Sequence, residues 1–512
     1  MGGKYRLTTL GCKVNQYESQ QIRETLESLG FYAADHADVP DLAIVNTCAV
    51  TGAATRKSRQ SIRRLTRQGR VPTVVVGCYA SAAASFLRDI PGVIDVLGHD
   101  QNVRLALRRI VTDPLLSSWV RRHHSEDAAC VAAACGSSDT DESAVGNDVR
   151  MRAAAPPRNA RMSAETDQPS DSDTIILEPS TDVKEALGTD RSTIRAFAGH
   201  QRAFLKVQDG CDANCTYCII PRLRPGLRWK PIPIAVQEAR DLVRAGHKEI
   251  VVTGIYLGAY GRPTARRRLN DPAANPLADL VEALAGVEGL VRLRLSSLEP
   301  GDVDDRLLAV LRQNPCCVPH LHLPLQSGSD AILRRMNRQY SAGQFQAMID
   351  RVRDALDRPA ISTDVVVGFP GESDADFEET LAVARRSGFC KVHAFPFSPR
   401  PGTAAAKWSR DFIPAEVVRR RMARVAALEQ ETALAFRRHF IGRTERVIVE
   451  AGDDEDSPKA APDGSAWRQG RTDRYFPVWF EAAQAAPGDV VAVRIEDVSG
   501  GRVWGTVTKS LA

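Results

Sequence analysis

Three cysteines on one short segment give the clearest chemical signal in the sequence. Cys211, Cys215 and Cys218 follow a C-x3-C-x2-C spacing. A [4Fe–4S] cluster normally takes four thiolates, so three leave one iron without a protein ligand. That iron can bind the amino and carboxylate groups of S-adenosylmethionine, whose cleavage gives a 5′-deoxyadenosyl radical. The alternative is a structural zinc knuckle, but zinc prefers four ligands in paired spacing and no partner pair lies nearby.

Three further cysteines are far apart in sequence but share a local setting. Cys12, Cys48 and Cys78 each follow a predicted strand, in the order YRLTTL, DLAIVN and PTVVVG. Parallel strands bring their carboxyl ends to one edge, where open α/β sheets place ligands. We therefore expect a second [4Fe–4S] cluster whose open iron binds a sulfide or persulfide. An electron-relay cluster and three unrelated buried thiols are the alternatives.

Polar and glycine-rich segments end several strands predicted after the cysteine loop. Any one of them could be an ordinary turn, but successive strand ends of one barrel form the rim of a pocket. Backbone groups at such ends suit the amine and carboxylate of a cofactor. The candidate cofactor-binding residues on these segments are Thr253, Gly254, Ile255, Ser297, Glu299, Gln326 and Asp364.

Basic residues are clustered although the formal net charge is only +5. Such runs are usually solvated helix faces, yet several in one chain fit a phosphate-bearing substrate. Near the C-terminus, GRTDRYFPVWF places Arg471, Arg474 and Tyr475 where a small barrel can stack bases and bind phosphate. The alternative there is a plain barrel core with a charged exterior.

The elements that must position these residues predict an α/β protein of several domains. Residues 1–112 alternate strands and helices as a doubly wound α/β domain, in which Asn15 and Glu18 form a capping-box pattern for the first helix. Residues 113–199 are a low-complexity insertion or linker. Residues 200–440 carry six βα units of a partial (β/α)6 barrel, and residues 441–512 form a small β-barrel.

The amino-acid composition further restricts the class of protein. The chain of 512 residues has no run of 18 apolar residues, so no membrane span is expected. Its eleven cysteines without a secretory signal indicate metal binding or catalysis in a reducing compartment. We therefore expect a cytoplasmic protein.

Taken together, these motifs resemble the methylthiotransferase family of radical S-adenosylmethionine enzymes. The resemblance covers nearly the whole chain apart from residues 113–199, and the tail resembles the RNA-binding TRAM module. GCKVNQYE and VVTGIYLGAYG are most similar to the branch that acts on threonylcarbamoyladenosine in tRNA. The blocks that carry the resemblance are TLGCKVNQYES, NTCAVTGAATRKSR, VVGCYA, DGCDANCTYCIIP, IVVTGIYLGAYG, RLRLSSLEP, HLHLPLQSGSD, ILRRMNRQY, TDVVVGFPGES and FPFSPRPGT.

The resemblance implies a two-part reaction on tRNA. The cluster of the cysteine loop would generate the radical that abstracts hydrogen from C2 of adenine, and the second cluster would supply sulfur. A second S-adenosylmethionine would give the methyl group, so position 37 would become 2-methylthio-N6-threonylcarbamoyladenosine. Tyr217 would lie against the cofactor's adenine, and the helix of Arg56, Lys57 and Arg59 would contact tRNA. The implied partners are tRNA, S-adenosylmethionine and an electron donor, with no DNA.

Two alternatives and one departure stay open. The same chemistry could act on isopentenyladenosine in tRNA or on an aspartate of a ribosomal protein. A protein of another class would bind RNA and use its clusters for redox sensing. The family commonly has P-x-x-R-G after the cysteine loop, but here Arg224 precedes Pro225-Gly226. Proline restricts the residue before it, so the path of this loop is left open.

Overall fold

Three folded parts make up the protein in the computed structural model. Most of the predicted insertion, residues 113–199, lies outside the residues that the structure describes. The described residues are 3–35, 37–66, 71–113, 188–267, 271, 274–451, 467–481 and 485–511.

The N-terminal part is a five-stranded sheet in the order β2-β1-β3-β4-β5, with every pairing parallel. The predicted doubly wound domain is therefore confirmed. The order reverses between β1 and β3, and ligands bind in the crevice at such a switch point. The strands are β1 (Lys4–Thr9), β2 (Tyr32–Ala33), β3 (Leu42–Thr47), β4 (Thr73–Gly77) and β5 (Val93–Leu97), and the helices are α1 (Lys13–Ser28), α2 (Gly52–Thr66), α3 (Cys78–Ala82), α4 (Ala84–Arg88) and α5 (Val103–Thr112).

Helix packing on both faces explains the apolar strands of this sheet. Every residue of β3 and β4 is buried, as expected for parallel strands covered on both sides. The predicted cap of α1 is wrong. Helix α1 begins at Lys13, and its N-cap residue Cys12 makes no side-chain cap bond. Asn15 is buried instead and donates to Asn46 Oδ1 (3.0 Å) and Thr47 O (3.1 Å).

The central part is an open barrel of six parallel strands, as predicted. β10, β9 and β7 belong to one sheet and β11, β12 and β13 to another, and the bridges Leu293–Cys317 and Ser297–His322 join them. The strands are β6 (Gly188–Thr189), β7 (Arg202–Asp209), β8 (Arg228–Trp229), β9 (Glu249–Gly254), β10 (Arg292–Leu295), β11 (His320–His322), β12 (Ala360–Val367) and β13 (Lys391–Pro396), and the helices are α6 (Ile220–Leu223), α7 (Ile232–Arg244), α8 (Pro276–Ala285), α9 (Asp305–Gln313), α10 (Asp330–Arg335), α11 (Ala342–Ala355), α12 (Asp374–Ser387) and α13 (Ala415–Arg438).

Helix α1 joins the N-terminal and central parts. It lies against β7 and β9, and Tyr17 is fully buried in the central hydrophobic core. The Tyr17 hydroxyl donates to Glu238 Oε1 (2.6 Å). Ile194 and Phe197 belong to the same core, so the end of the segment assigned to the linker packs with the central barrel.

The C-terminal part is a closed barrel in the order β14-β15-β16-β18-β17, which confirms the predicted small β-barrel. Its core is apolar and includes Phe440 and Phe480. Among the described residues, no helix is long and apolar enough to cross a membrane. The strands are β14 (Thr444–Val449), β15 (Trp467–Thr472), β16 (Pro477–Glu481), β17 (Val490–Ser499) and β18 (Arg502–Ser510).

The turn between β15 and β16 attaches this barrel to the N-terminal end of the central strands. Arg292 on β10 is fully buried and donates to Arg446 O (2.6 Å) and Arg471 O (2.9 Å). Its Nε lies 2.5 Å from Asp473 Oδ1. Arg294 Nη1 donates to Asp473 O (3.1 Å). The turn is therefore fixed by charged groups that only the folded pair of domains brings together.

Candidate iron–sulfur and cofactor site

The cysteine loop leaves β7 through a position that only glycine fits. Gly210 has φ +80°, and a Cβ there would lie 1.6 Å from Gly226 O. Cys211 N donates to Arg224 O (3.4 Å). The unusual Pro225-Gly226 pair therefore packs directly against the residue before Cys211, which gives the loop after α6 a defined path.

Donors point at the sulfurs of this loop. Arg338 Nη1 donates to Cys215 Sγ (3.1 Å), and Ala213 N donates to Cys211 Sγ (3.4 Å). Hydrogen bonds of this kind orient thiolate ligands and tune a cluster. Burial raises the pKa of Cys218 to about 12 and also raises the pKa of Cys211.

These thiols fit a cluster better than a solvent-exposed reactive role. A thiol whose pKa is raised by loss of hydration stays protonated near neutral pH unless bound metal stabilises the thiolate. Among the described residues, no three Cys, His, Asp or Glu side chains converge on a single-ion site. A [4Fe–4S] cluster does not need such convergence, because each thiolate binds a different iron.

The structure brings the second set of cysteines together at the switch point of the N-terminal sheet. A Cβ on Gly11, beside Cys12, would lie 3.1 Å from Cys48 Cβ. Cys78 interacts electrostatically with both Cys48 and Cys12, and burial raises its pKa to about 12. Cys12 is exposed whereas Cys48 and Cys78 are buried. The predicted convergence of strand ends is thus observed, and their role as cluster ligands stays a prediction.

Polar side chains surround these three sulfurs. The Cys12 thiol donates to Asn15 Oδ1 (3.2 Å), and His99 Nε2 lies 3.4 Å from Cys78 Sγ. Burial lowers the pKa of His99 to about 4, so its ring is neutral. Ser58 Oγ donates to Cys48 O (3.2 Å). A neutral imidazole beside the Cys78 sulfur and a hydroxyl that holds the Cys48 backbone fit the outer shell of a metal centre.

Arg224 connects the two cysteine sites. Its backbone oxygen receives the amide of Cys211, while its guanidinium interacts electrostatically with Cys78. The side chain is fully buried and paired with Glu18 (2.8 Å) on α1 and Asp209 (2.9 Å) on β7. Burial opposes ionisation of Asp209, but Arg224 and Lys206 hold its pKa well below the usual range.

The predicted cofactor-binding residues lie at the carboxyl end of the barrel strands. Thr253 is buried at the end of β9. Gly254 packs against Gln208, since a Cβ at position 254 would lie only 2.9 Å from Gln208 Cβ. Ser297 pairs with His322 as a bridge, and Ile255 lies half-buried after β9.

The remaining candidates belong to β11 and β12 and to the loop itself. Gln326 has φ +61°, and its backbone N–H donates to Asp364 O (2.8 Å). Asp364 Oδ2 lies 3.2 Å from His322 Nε2. Tyr217 lies edge-on to Phe369, with 6.1 Å between ring centroids. All eight candidates occur on one rim, and their contact with a cofactor stays a prediction.

A chain of charges extends from the cysteine loop into a neighbouring cavity. Glu299 accepts a hydrogen bond from Arg338, the residue that also contacts Cys215. Arg267 Nη2 lies 4.0 Å from Glu299 and 3.1 Å from Asp302. Burial raises the pKa of Asp302 to about 6. The cavity has a volume of about 290 Å³, and Arg267 and Asp302 line it.

The basic helix α2 lies beside Cys48. Arg56 and Lys57 are exposed and Arg59 is half-buried. Arg400 Nη1 donates to Ala49 O (3.2 Å) and Thr55 Oγ1 (2.9 Å), which holds it next to α2. Burial and the charges of Arg59 and Arg56 lower the pKa of Arg400. The result is a concentration of positive charge next to the second cysteine site.

The candidate RNA-binding residues of the C-terminal barrel have partners within the protein. Arg471 pairs with Glu450 (2.8 Å). Arg474 pairs with Glu445 (2.9 Å) and Asp357 (3.0 Å). Tyr475 faces the central barrel, where its hydroxyl accepts from Arg202 Nη1 (2.6 Å). RNA contact by these three residues stays a prediction, and it would require these contacts to be exchanged.

Three neighbours of the cysteines were not found from the sequence. His99 follows β5 as Cys78 follows β4, so the same strand-end signal could have identified it. Arg338 lies in the block ILRRMNRQY, but nothing in that pattern indicates a contact with Cys215. Arg400 lies 352 residues after Cys48 in the chain, and only the fold brings them together.

Comparison with known proteins agrees with this geometry. The Radical SAM superfamily model matches residues 205–384, and the model for Uncharacterized protein family UPF0004 matches residues 4–98. The chain is therefore a radical S-adenosylmethionine enzyme, a class that uses S-adenosylmethionine and a [4Fe–4S] cluster.

Full-length relatives narrow this class. Threonylcarbamoyladenosine tRNA methylthiotransferase MtaB of Bacillus subtilis (strain 168) is 31% identical over 489 residues, 95% of this chain and 92% of that protein. MtaB of Thermotoga maritima is 31% identical over 87% of this chain and 86% of that protein. The tRNA-2-methylthio-N(6)-dimethylallyladenosine synthase of Parafrankia sp. is 32% identical over 96% of this chain and 87% of that protein. The chain belongs to the radical S-adenosylmethionine tRNA methylthiotransferase family.

Proposed function

We propose that this enzyme converts N6-threonylcarbamoyladenosine at tRNA position 37 to its 2-methylthio derivative. The observation that carries the proposal is the placement of three thiols at the switch point of the N-terminal sheet, next to a separate three-cysteine loop. The residues Lys13-Val14-Asn15 and the relatives named MtaB favour the threonylcarbamoyl substrate. A cytoplasmic location follows, because the substrate is tRNA.

The proposed cofactors are two [4Fe–4S] clusters and S-adenosylmethionine. When bound, they supply the radical that removes hydrogen from C2, the sulfur that replaces it and the methyl group. Cys211, Cys215 and Cys218 would hold the first cluster, with Arg338 donating to one of its thiolates. Cys12, Cys48 and Cys78 would hold the second, beside His99. An external electron donor would reduce the first cluster.

The basic residues of α2 would guide the substrate to the second cysteine site. A tRNA carries a phosphate at every nucleotide, and each neutralised phosphate contributes to affinity through release of counterions. Arg56, Lys57 and Arg59 lie on the same helix, next to Arg400. The C-terminal barrel would add a second contact, as TRAM-like barrels are small RNA-binding folds.

One alternative substrate has specific support. The Parafrankia relative, whose name specifies N6-dimethylallyladenosine, is 32% identical to this chain, so overall identity does not separate the two substrates. The alternative of a different class, an RNA-binding redox protein, predicts no cleavage of S-adenosylmethionine by the reduced protein.

Nucleoside mass spectrometry on tRNA from a strain lacking the gene tests the proposal. We expect the 2-methylthio form of threonylcarbamoyladenosine to disappear, with accumulation of the unmodified threonylcarbamoyl form and no change in the dimethylallyl series. The wild-type gene should restore the product, and a Cys48→Ala gene should not. If the 2-methylthio form of dimethylallyladenosine disappears instead, the substrate of the enzyme is dimethylallyladenosine and not threonylcarbamoyladenosine.

The enzyme class is tested separately with purified protein reconstituted anaerobically with iron and sulfide. Under a strong reductant it should release 5′-deoxyadenosine from S-adenosylmethionine without any tRNA present. A reconstituted protein with full iron content that releases none would support the redox-protein alternative.

A further inference from the structure

Basic side chains of the central barrel surround the ring of Tyr475. Arg202 on β7 and Arg294 on β10 both stack on the Tyr475 ring, at 5.1 and 4.8 Å from its centroid. His320 on β11 lies against the same ring, with 4.9 Å between centroids. Lys13, the residue after Cys12, interacts electrostatically with Tyr475, Arg294 and Arg202. The group therefore extends from Tyr475 to a candidate cluster ligand.

Lys13 is an unusual residue for this position. Its side chain is half-buried, and among the described residues no acidic group forms an ion pair or hydrogen bond with it. A half-buried lysine without an acidic partner loses part of the hydration of its charge. Lys13 is also the first residue of α1, where the helix dipole disfavours a positive charge. Both effects oppose folding, which indicates a requirement other than stability.

A second unpaired donor lies in the same group. Arg294 Nε donates to Glu249 Oε1 (2.8 Å) and its Nη1 donates to Asp473 O (3.1 Å), but its buried Nη2 has no hydrogen-bond partner. Buried donors are almost always satisfied, so an exception requires an explanation. Glu249 is shared with Arg292. The carboxylates present are thus engaged elsewhere, and the two free donors match an anion that the protein itself does not supply.

We propose that Lys13 and Arg294 Nη2 bind the carboxylate of the threonylcarbamoyl group on the substrate base, and so select an anionic N6 substituent over an apolar one. The inference rests on the proposed function and specifies how its substrate is chosen. A base entering between the two cysteine sites would direct its N6 substituent toward Lys13. A dimethylallyl group placed there would leave both cations unpaired, which penalises the wrong substrate.

The test uses the reconstituted holoenzyme and two tRNAs. One bears N6-threonylcarbamoyladenosine and the other bears the same nucleoside with its carboxylate converted to a primary amide. The variants are Lys13→Gln, Lys13→Arg and the control Lys391→Gln, which removes an exposed lysine paired with Glu429 (3.0 Å) on the outside of the barrel. The readouts are kcat and KM for the methylthio product by mass spectrometry, and the iron content of each protein.

We expect the wild-type enzyme to lose at least about tenfold in kcat/KM on the amide, mainly through KM, because a buried charge-assisted hydrogen bond is lost. Lys13→Gln should show the same loss on the carboxylate substrate and discriminate little between the two tRNAs. Lys13→Arg should recover part of the discrimination, and Lys391→Gln should behave as wild type.

Each outcome bears on one of the two proposals. A wild-type enzyme that thiolates both tRNAs equally well would overturn this inference and leave the proposed function standing. Lys13→Gln with wild-type KM and wild-type discrimination would do the same. A wild-type enzyme with full iron content that thiolates neither of these tRNAs, but thiolates a third tRNA that bears N6-dimethylallyladenosine, would overturn the proposed function and this inference with it. If Lys13→Gln loses iron, the inference is decided by the wild-type enzyme alone, from its kcat/KM on the carboxylate tRNA and on the amide tRNA.

Discussion

The two cysteine sites differ in how they are built. Cys211, Cys215 and Cys218 lie in one loop, and its local conformation, with glycine at position 210, brings their sulfurs together. Cys12, Cys48 and Cys78 come from three strand ends, and only the completed parallel sheet makes them neighbours. A site encoded by spacing is therefore visible in the sequence, whereas a site encoded by topology becomes visible only once the strands are ordered.

The difference should separate the functions of the two sites. Replacing Cys218 with Ala should abolish release of 5′-deoxyadenosine, with a loss of at least about a thousandfold, because the cofactor carries the chemistry. Product analysis of the reduced, reconstituted protein measures it. Cys390→Ala is the matched control, since Cys390 is a half-buried cysteine outside both sites, as Cys218 is half-buried within its loop. Retained cleavage in Cys218→Ala would remove this residue from the ligand set.

Loss of a cysteine from the second cysteine site, which the sheet topology assembles, should have a different effect. Cys48→Ala should keep cleavage of S-adenosylmethionine but make no methylthio product, and its iron content should fall by about half, since one of two [4Fe–4S] clusters is lost. Iron analysis and nucleoside mass spectrometry on the same preparation measure both effects. Iron equal to wild type would contradict a second cluster, and loss of cleavage would show that the sites are not separate.

Arg224 tests whether the two sites are structurally independent. Arg224→Met leaves Glu18 and Asp209 with Lys206 as their remaining buried partner, which should reduce the free energy of unfolding by about 3 kcal/mol, the low end for a broken buried pair. The control Arg222→Met changes an exposed neighbour and should stay within about 0.5 kcal/mol of wild type. Denaturant unfolding of the two variants measures the difference. Equal stability would mean that Arg224 does not link α1 to β7.

The smallest expected effect is on tRNA binding by helix α2, next to the second cysteine site. Arg56→Gln should weaken tRNA binding modestly and reduce the slope of log K against log salt by about 1, as for one lost phosphate contact. Binding measured over a range of salt concentrations gives the slope. Arg108→Gln on α5 provides a control, because its side chain is exposed on another helix of the same domain. An unchanged slope for Arg56→Gln would remove α2 from the tRNA surface.

The sequence predicted the three folded parts and the positions of all six strand-end and loop cysteines. Periodicity was sufficient for this, because buried parallel strands form continuous apolar runs such as Leu42–Thr47. Local rules failed at Asn15, whose position matches a helix cap but whose amide bonds to a neighbouring strand. Local rules did not predict the roles of Arg338 and Arg400. Their side chains contact the cysteine sites from positions so distant in sequence that no short pattern includes both partners.

The turn that joins the C-terminal barrel to the central strands has a consequence for how the enzyme can be dissected. Removing the chain from about residue 441 would take away Asp473 and the carbonyl oxygens that receive Arg292. Buried Arg292 and Glu249 would then face water at the N-terminal end of the central strands. The C-terminal barrel thus covers this end of the central part and is also the proposed RNA contact. Substitutions on its outer face, such as at exposed Lys509, would separate the two roles because they leave this cover in place.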